Sequence, residues 1–217
     1  MYILYALILL FTWQVSQAQP SSHKVDFYIL SVSPGIRHYA TFKMNSNQEL
    51  AVKEISGNKF KLTPKEITAF RIKGRNFLTI ENTELDAGSF DDDVSLAFAE
   101  VVYSGKVSLL RYQYTKIVIM PTLTSGTLLL GVGSANRQLY LLRDARTETN
   151  TPIPSDGLMG GGPRFRSALL PFLTNRADLL KLLTENRLNT DDLPDIVRAI
   201  NSGSSFHRTP KIPFGVD

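Results

Sequence analysis

The residues best suited to chemistry lie in one short stretch, Gly157-Leu-Met-Gly-Gly-Gly-Pro-Arg-Phe-Arg166. A glycine-rich loop that runs into a helix can turn several backbone N–H groups toward one anion. Gly160, Gly161 and Gly162 would supply that backbone, and Arg164 and Arg166 the positive charge. The stretch has no Lys-Ser/Thr pair of the kind that grips a nucleotide phosphate, and no strand pattern leads directly into it. A flexible connector explains the same composition. These five residues are the candidate binding site that the sequence offers.

Other chemistries find less support. The chain has no cysteine, which removes thiolate catalysis, Cys-ligated zinc and disulfides. Its three histidines, His23, His38 and His207, stand far apart and form no metal-ligand spacing. His38 reads as a strand residue half in solvent. Ser134 follows Gly131-Val-Gly133 and reads as part of a turn, not as a nucleophile elbow. Asp91-Asp92-Asp93, with Glu84 and Asp86, could offer oxygens to calcium, but the spacing fits no calcium loop and an exposed acidic loop accounts for it. No carboxylate pair for glycoside hydrolysis stands out. No catalytic residue, metal or cofactor is assigned. Tyr112 and Tyr114 alternate on a strand pattern and could present exposed rings to a sugar.

Composition bounds the class. Of 217 residues, 43% are hydrophobic and 20% charged, as in an ordinary globular protein. The net charge of +4 is spread along the chain and forms no basic stripe, so a nucleic-acid partner is not expected. Met1 to Ala18 has the form of a secretory signal peptide: an apolar run too short to span a bilayer, then Ser16-Gln17-Ala18 at the cleavage site. No Lys or Arg precedes the run. No further membrane span is expected after cleavage.

The elements follow from periodicity. Short runs rich in β-branched and aromatic residues, punctuated by Gly, Pro, Ser or Asn, predict strands at Val25–Val32, Ile36–Phe42, Leu50–Ile55, Lys59–Leu62, Phe70–Gly74 and Asn76–Ile80. A central block predicts Leu96–Tyr103, a turn at Ser104-Gly105, Lys106–Tyr114, and then separate strands at Ile117–Met120, Thr127–Val132 and Leu139–Leu142. Thr63-Pro64-Lys65-Glu66 has the form of a capped single helical turn. Residues 145–162 read as a connection. From Pro163 the apolar spacing turns helical. Three short helices are expected, the second capped by Asn175 and the third starting near Asp191-Asp192. Residues 204–217 read as a flexible tail.

The expected architecture is therefore α+β: a mostly antiparallel sheet or partly closed barrel over residues 19–144, followed by a helical segment over 163–203 packed on the sheet. Four stretches carry a resemblance: Leu62-Thr-Pro-Lys-Glu-Ile-Thr-Ala-Phe70, Tyr103-Ser-Gly-Lys-Val-Ser-Leu-Leu-Arg-Tyr112, Tyr140-Leu-Leu-Arg143, and Leu193-Pro-Asp-Ile-Val-Arg-Ala-Ile-Asn201. On these the chain resembles a group of exported β-rich proteins of Bacteroidetes-type bacteria. The resemblance implies a signal peptide, a sheet domain and a short helical end. It implies no activity and no site residues. The resulting expectation is an exported, non-enzymatic envelope protein (periplasmic, at the outer membrane or extracellular) that binds a partner, an envelope protein or glycan, or supports an assembly; a glycan-binding module that uses its tyrosines is one alternative. A hydrolase acting on an envelope polymer is the other.

Overall fold

The computed structural model describes residues 25–84, 93–124, 127–154 and 162–210. The signal segment, Gly160, Gly161 and most of the acidic run lie outside these residues.

Among these residues eleven strands precede three α-helices. They are β1 Phe27–Leu30, β2 His38–Tyr39, β3 Thr41–Ser46, β4 Glu49–Lys53, β5 Lys59–Leu62, β6 Ile67–Ile72, β7 Arg75–Glu84, β8 Asp93–Tyr103, β9 Val107–Thr124, β10 Thr127–Asp144 and β11 Asn150–Ile153. The helices are α1 Pro163–Leu169, α2 Ala177–Thr184 and α3 Leu193–Ser202. The α+β class holds, with strands first and helices after them. The main sheet has the order β11-β10-β9-β8-β7-β6-β1-β2, and β3-β4-β5 form a second, three-stranded sheet. All pairings are antiparallel. The main sheet curls until β11 approaches β7, yet no strand pairing joins them. It is not closed into a barrel.

Local sequence explains many elements. In β5 both lysines are exposed and Leu62 is buried, as period-two alternation demands. Ile72 and Arg75 pair across a two-residue turn in which Lys73 and Gly74 both have positive φ, 50° and 79°. That backbone matches the twist of a tight hairpin, and Asp26 accepts the Lys73 N–H at 2.8 Å. The Glu66 carboxylate accepts from both the N–H and the hydroxyl of Thr63, each at 2.8 Å, which closes the turn before β6.

Two expectations need revision. Ile117–Met120, Thr127–Val132 and Leu139–Leu142 are not separate strands. They belong to two 18-residue strands, β9 and β10, paired from Val107↔Asp144 to Thr124↔Thr127. The polar stretch from Ser134 to Gln138 keeps the ladder because strand pairing uses the backbone, so exposed polar side chains do not interrupt it. Ser134 is thus a strand residue opposite Ile117, not a turn residue. The second revision concerns helix caps. The residue flanking α2 is Arg176, whose guanidinium holds Asp178, and Asn175 does not cap it. Before α3, Asn189 and Asp192 form a reciprocal capping box around Thr190–Asp192.

Three packed clusters hold the molecule together. The second sheet covers one end of the main sheet through Phe42, Leu50, Val52, Phe70, Phe77 and Phe98. The inside of the curl is filled by Ile80, Ala97, Ala99, Leu110, Tyr112, Leu139 and Leu141. The helices bury Phe165, Leu169, Leu179, Ile196 and Val197 against Leu109 and Leu142 on the other face. None of these short helices could bury its apolar stripe alone.

The end of the helical layer is tied down by charge. Arg208 holds the buried Asp192 at 2.6 Å, and Thr209 donates to Asp195 from both its N–H and its hydroxyl. Arg176 reaches the Ser204 carbonyl at 2.7 Å. Residues 204–210, which composition alone marks as a flexible tail, make these contacts.

Candidate functional site

Strands β8 and β9 pair over only a few residues, and their parting creates the site. Glu100↔Arg111 is the last direct pair between them on that side. Beyond it, β8 continues with β7 while β9 continues with β10. The next rung would have matched Phe98 with Gln113. Asn47 occupies it instead. Its carbonyl accepts the Phe98 N–H at 2.8 Å, and its side-chain amide donates to the Gln113 carbonyl. Asparagine suits the position because one residue offers a backbone acceptor and a side-chain donor. It sits at the tip of the β3–β4 hairpin, where Ser46 pairs with Glu49. The tip is stiffened by Gln48 N–H to Ser46 Oγ at 3.2 Å and by Asn45 to Glu49 at 2.7 Å.

Between this tip and the β9–β10 ribbon lies an open cleft of about 740 Å³. The tip contributes Asn45 to Gln48, β9 contributes Tyr112 to Thr115, and β10 contributes Asn136 to Gln138. Tyr112 and Tyr114 stack with ring centroids 5.8 Å apart and planes 12° from parallel. They lie two residues apart on one face of β9, the face that also carries Leu110 into the curl. Thr115 and Asn136 hydrogen-bond across the ribbon at 3.2 Å. Arg137 pairs in register with Tyr114. Amides, hydroxyls, two tyrosines and one guanidinium therefore line the cleft, and no carboxylate does among the described residues. By register Tyr112, Tyr114 and Arg137 share one face of the ribbon, and Gln113, Thr115, Asn136 and Gln138 share the other.

The rung below the split is held by charge. Glu100 receives Arg75 from β7 at 2.7 Å and Arg111 from β9 at 2.6 Å, while its side chain is only 12% exposed. The hydrogen bond from Arg75 is the main reason its carboxyl lies below its ordinary value; burial opposes the shift and Arg111 adds to it. A carboxylate depressed on folding stabilises the fold above its unfolded value and loses that contribution as pH falls toward its folded one. The stability gap between the native protein and Glu100→Gln is thus expected to be widest near neutral pH. It should narrow as pH drops below 4.5, the carboxyl's ordinary value. Urea unfolding from pH 7 to pH 3 measures it, and a gap independent of pH would exclude this account.

The residues singled out by composition fall elsewhere. Gly162 precedes α1, and Arg166 is bonded to Asn186 in the helical layer. Arg164 is exposed on α1. None of the three lines the cleft. His38 lies in β2, half-buried as expected, and its ring stacks on Tyr28 with centroids 5.0 Å apart. Glu84 and Asp93 pair at the described ends of β7 and β8, and no group of potential metal ligands assembles among the described residues. Tyr112 and Tyr114 do come together, but Tyr112 is 5% exposed and serves as the buried base on which Tyr114 rests. Sequence reasoning missed Asn47 and Arg137. An Asn at a hairpin tip and an Arg in a strand carry no local signal of a shared site.

The molecule thus belongs to a class defined by architecture: a curled antiparallel sheet, capped by helices, with a polar cleft where two strands part. No family model, no curated protein and no solved structure matches the chain.

Proposed function

We propose that this is an exported, non-enzymatic binding protein of the bacterial envelope whose cleft holds a glycan. The observation that carries the reading is the lining of the cleft. Sugars present hydroxyl groups, which amides such as Asn45 and Gln48 at the hairpin tip can bond as donor and acceptor alike. Sugars also present apolar C–H faces, which rest well on a tyrosine ring. Glycoside hydrolysis in its common form needs two carboxylates flanking the bond, and this cleft has none among the described residues. The volume falls within the range of small-ligand sites. Export is supported by the form of the first eighteen residues and by the resemblance to exported β-rich proteins. Among the described residues no helix is long and apolar enough to cross a membrane.

The test is binding of the folded protein to an oligosaccharide array, with affinities of the hits measured by calorimetry. Tyr114→Ala is expected to weaken the best ligand by roughly 2 kcal/mol, or ~30-fold, as loss of an aromatic anchor does. Arg164→Ala, on the helical layer, should leave affinity unchanged. Equal binding by the native protein and Tyr114→Ala would remove the cleft from consideration.

A further inference from the structure

We infer that the sugar taken by this cleft carries a carboxylate, and that Arg137 is the residue that reads it; the inference rests on the glycan-binding reading above. Among the described residues Arg137 is the one charged residue lining the cleft. Its position is fixed by the long ladder, directly across from Tyr114, whose ring is in turn stacked on Tyr112. The guanidinium is thus carried on a paired strand beside an aromatic platform.

Arg137 is not among the arginines that this protein pairs with carboxylates. Arg75 and Arg111 share Glu100, Arg176 holds Asp178, Arg198 holds Asp195 and Arg208 holds Asp192. Arg137 has no carboxylate partner among the described residues, although it lies on the same sheet as the Glu100 pair. A guanidinium is planar and presents a fixed fork of N–H donors, which matches the two oxygens of a carboxylate. A wall of neutral amides neither competes for that fork nor repels an anion. A uronic or sialic acid meets all three features at once: a carboxylate for Arg137, hydroxyls for the hairpin-tip amides Asn45 and Gln48, and a ring face for Tyr114. Sulfate and phosphate esters can take the same fork through two of their oxygens, so they are the competing anions that the test must separate.

The test compares acidic and neutral forms of the same sugar. The full chain is titrated with oligogalacturonate and with its fully methyl-esterified form, and is screened on an array of uronic-acid, sialic-acid, sulfated and neutral glycans. Carboxylate-bearing glycans should bind tightest, and added salt should weaken them. Arg137→Gln should lower their affinity by ~10- to 100-fold while changing neutral analogues by no more than about threefold. Arg137→Lys should fall between, since it keeps the charge and loses the fork. Tyr114→Ala should weaken acidic and neutral forms alike. If Arg137→Gln leaves the preference intact, or if neutral or sulfated glycans bind best, the inference falls while the glycan reading stands. If no glycan binds to folded protein, both fall.

Discussion

Phe70→Ala is expected to destabilise the protein by about 3–5 kcal/mol, the usual range for emptying a buried phenylalanine site. Phe70 is 1% exposed and sits at the centre of an aromatic trio. Phe77 stacks on it at 4.7 Å, with planes 3° apart, and Phe98 meets it edge-on at 4.9 Å and 82°. Both arrangements are the favourable ones for rings with a negative face and a positive edge. For a chain of this length such a loss lowers Tm by roughly 6–20 °C. Phe70→Leu keeps much of the volume and should cost clearly less. The effect reaches the cleft, because Phe98 donates its N–H to Asn47. A loosened Phe98 frees the hairpin tip, so ligand affinity should fall with stability, although Phe70 does not line the cleft. Chemical denaturation of both variants decides the matter. A cost below about 1 kcal/mol for Phe70→Ala would mean that the second sheet is not held by this cluster.

The second large effect concerns a contact between the β8–β9 turn and the last helix. A Cβ at Gly105 would lie 2.4 Å from the Asn201 side chain. That side chain cannot simply swing aside. Its Oδ1 accepts the Val107 N–H at 3.0 Å and its Nδ2 donates to the Val107 carbonyl at 2.8 Å, so Asn201 pairs with β9 as a neighbouring strand would. Gly105→Ala should cost about 2–3 kcal/mol by displacing it, and Asn201→Ala a similar amount by leaving two backbone groups of Val107 without partners. The double variant should cost little more than either single one, because the added methyl then meets no amide. A thermodynamic cycle built on urea unfolding measures this coupling. Additive costs would show that the two residues act separately.

Much of the architecture is visible in local pattern. Lys59 to Leu62 alternate and form β5 with the same bounds, and the helical spacing of Phe165, Leu169, Leu179, Leu183, Ile196 and Val197 marks buried helix faces. What the sequence hides is long-range hydrogen bonding. The polar run from Ser134 to Gln138 looks like a break because hydrophobic pattern reports side chains, while the ladder joins backbones. The parting of β8 and β9 leaves no mark either, since Asn47 and Gln113 are 66 residues apart. Glycine-rich composition draws attention to residues 157–166 for the same reason: it is local. The tyrosine pair was legible as an i, i+2 repeat, whereas the burial of Tyr112 depends on Leu139 and Leu141, which reach it only through the fold.

The inserted Asn47 also sets an order of events during folding. From β6 to β11 each strand of the main sheet pairs with its immediate neighbour in the chain, so this meander needs only short loops to close. The Asn47 rung and the Asn201 clasp instead join residues separated by 66 and 94 positions. Loop-closure entropy places such contacts late, after the hairpins that bring them near have formed. The cleft is therefore expected to be among the last parts of the molecule to form, after most of the sheet is in place.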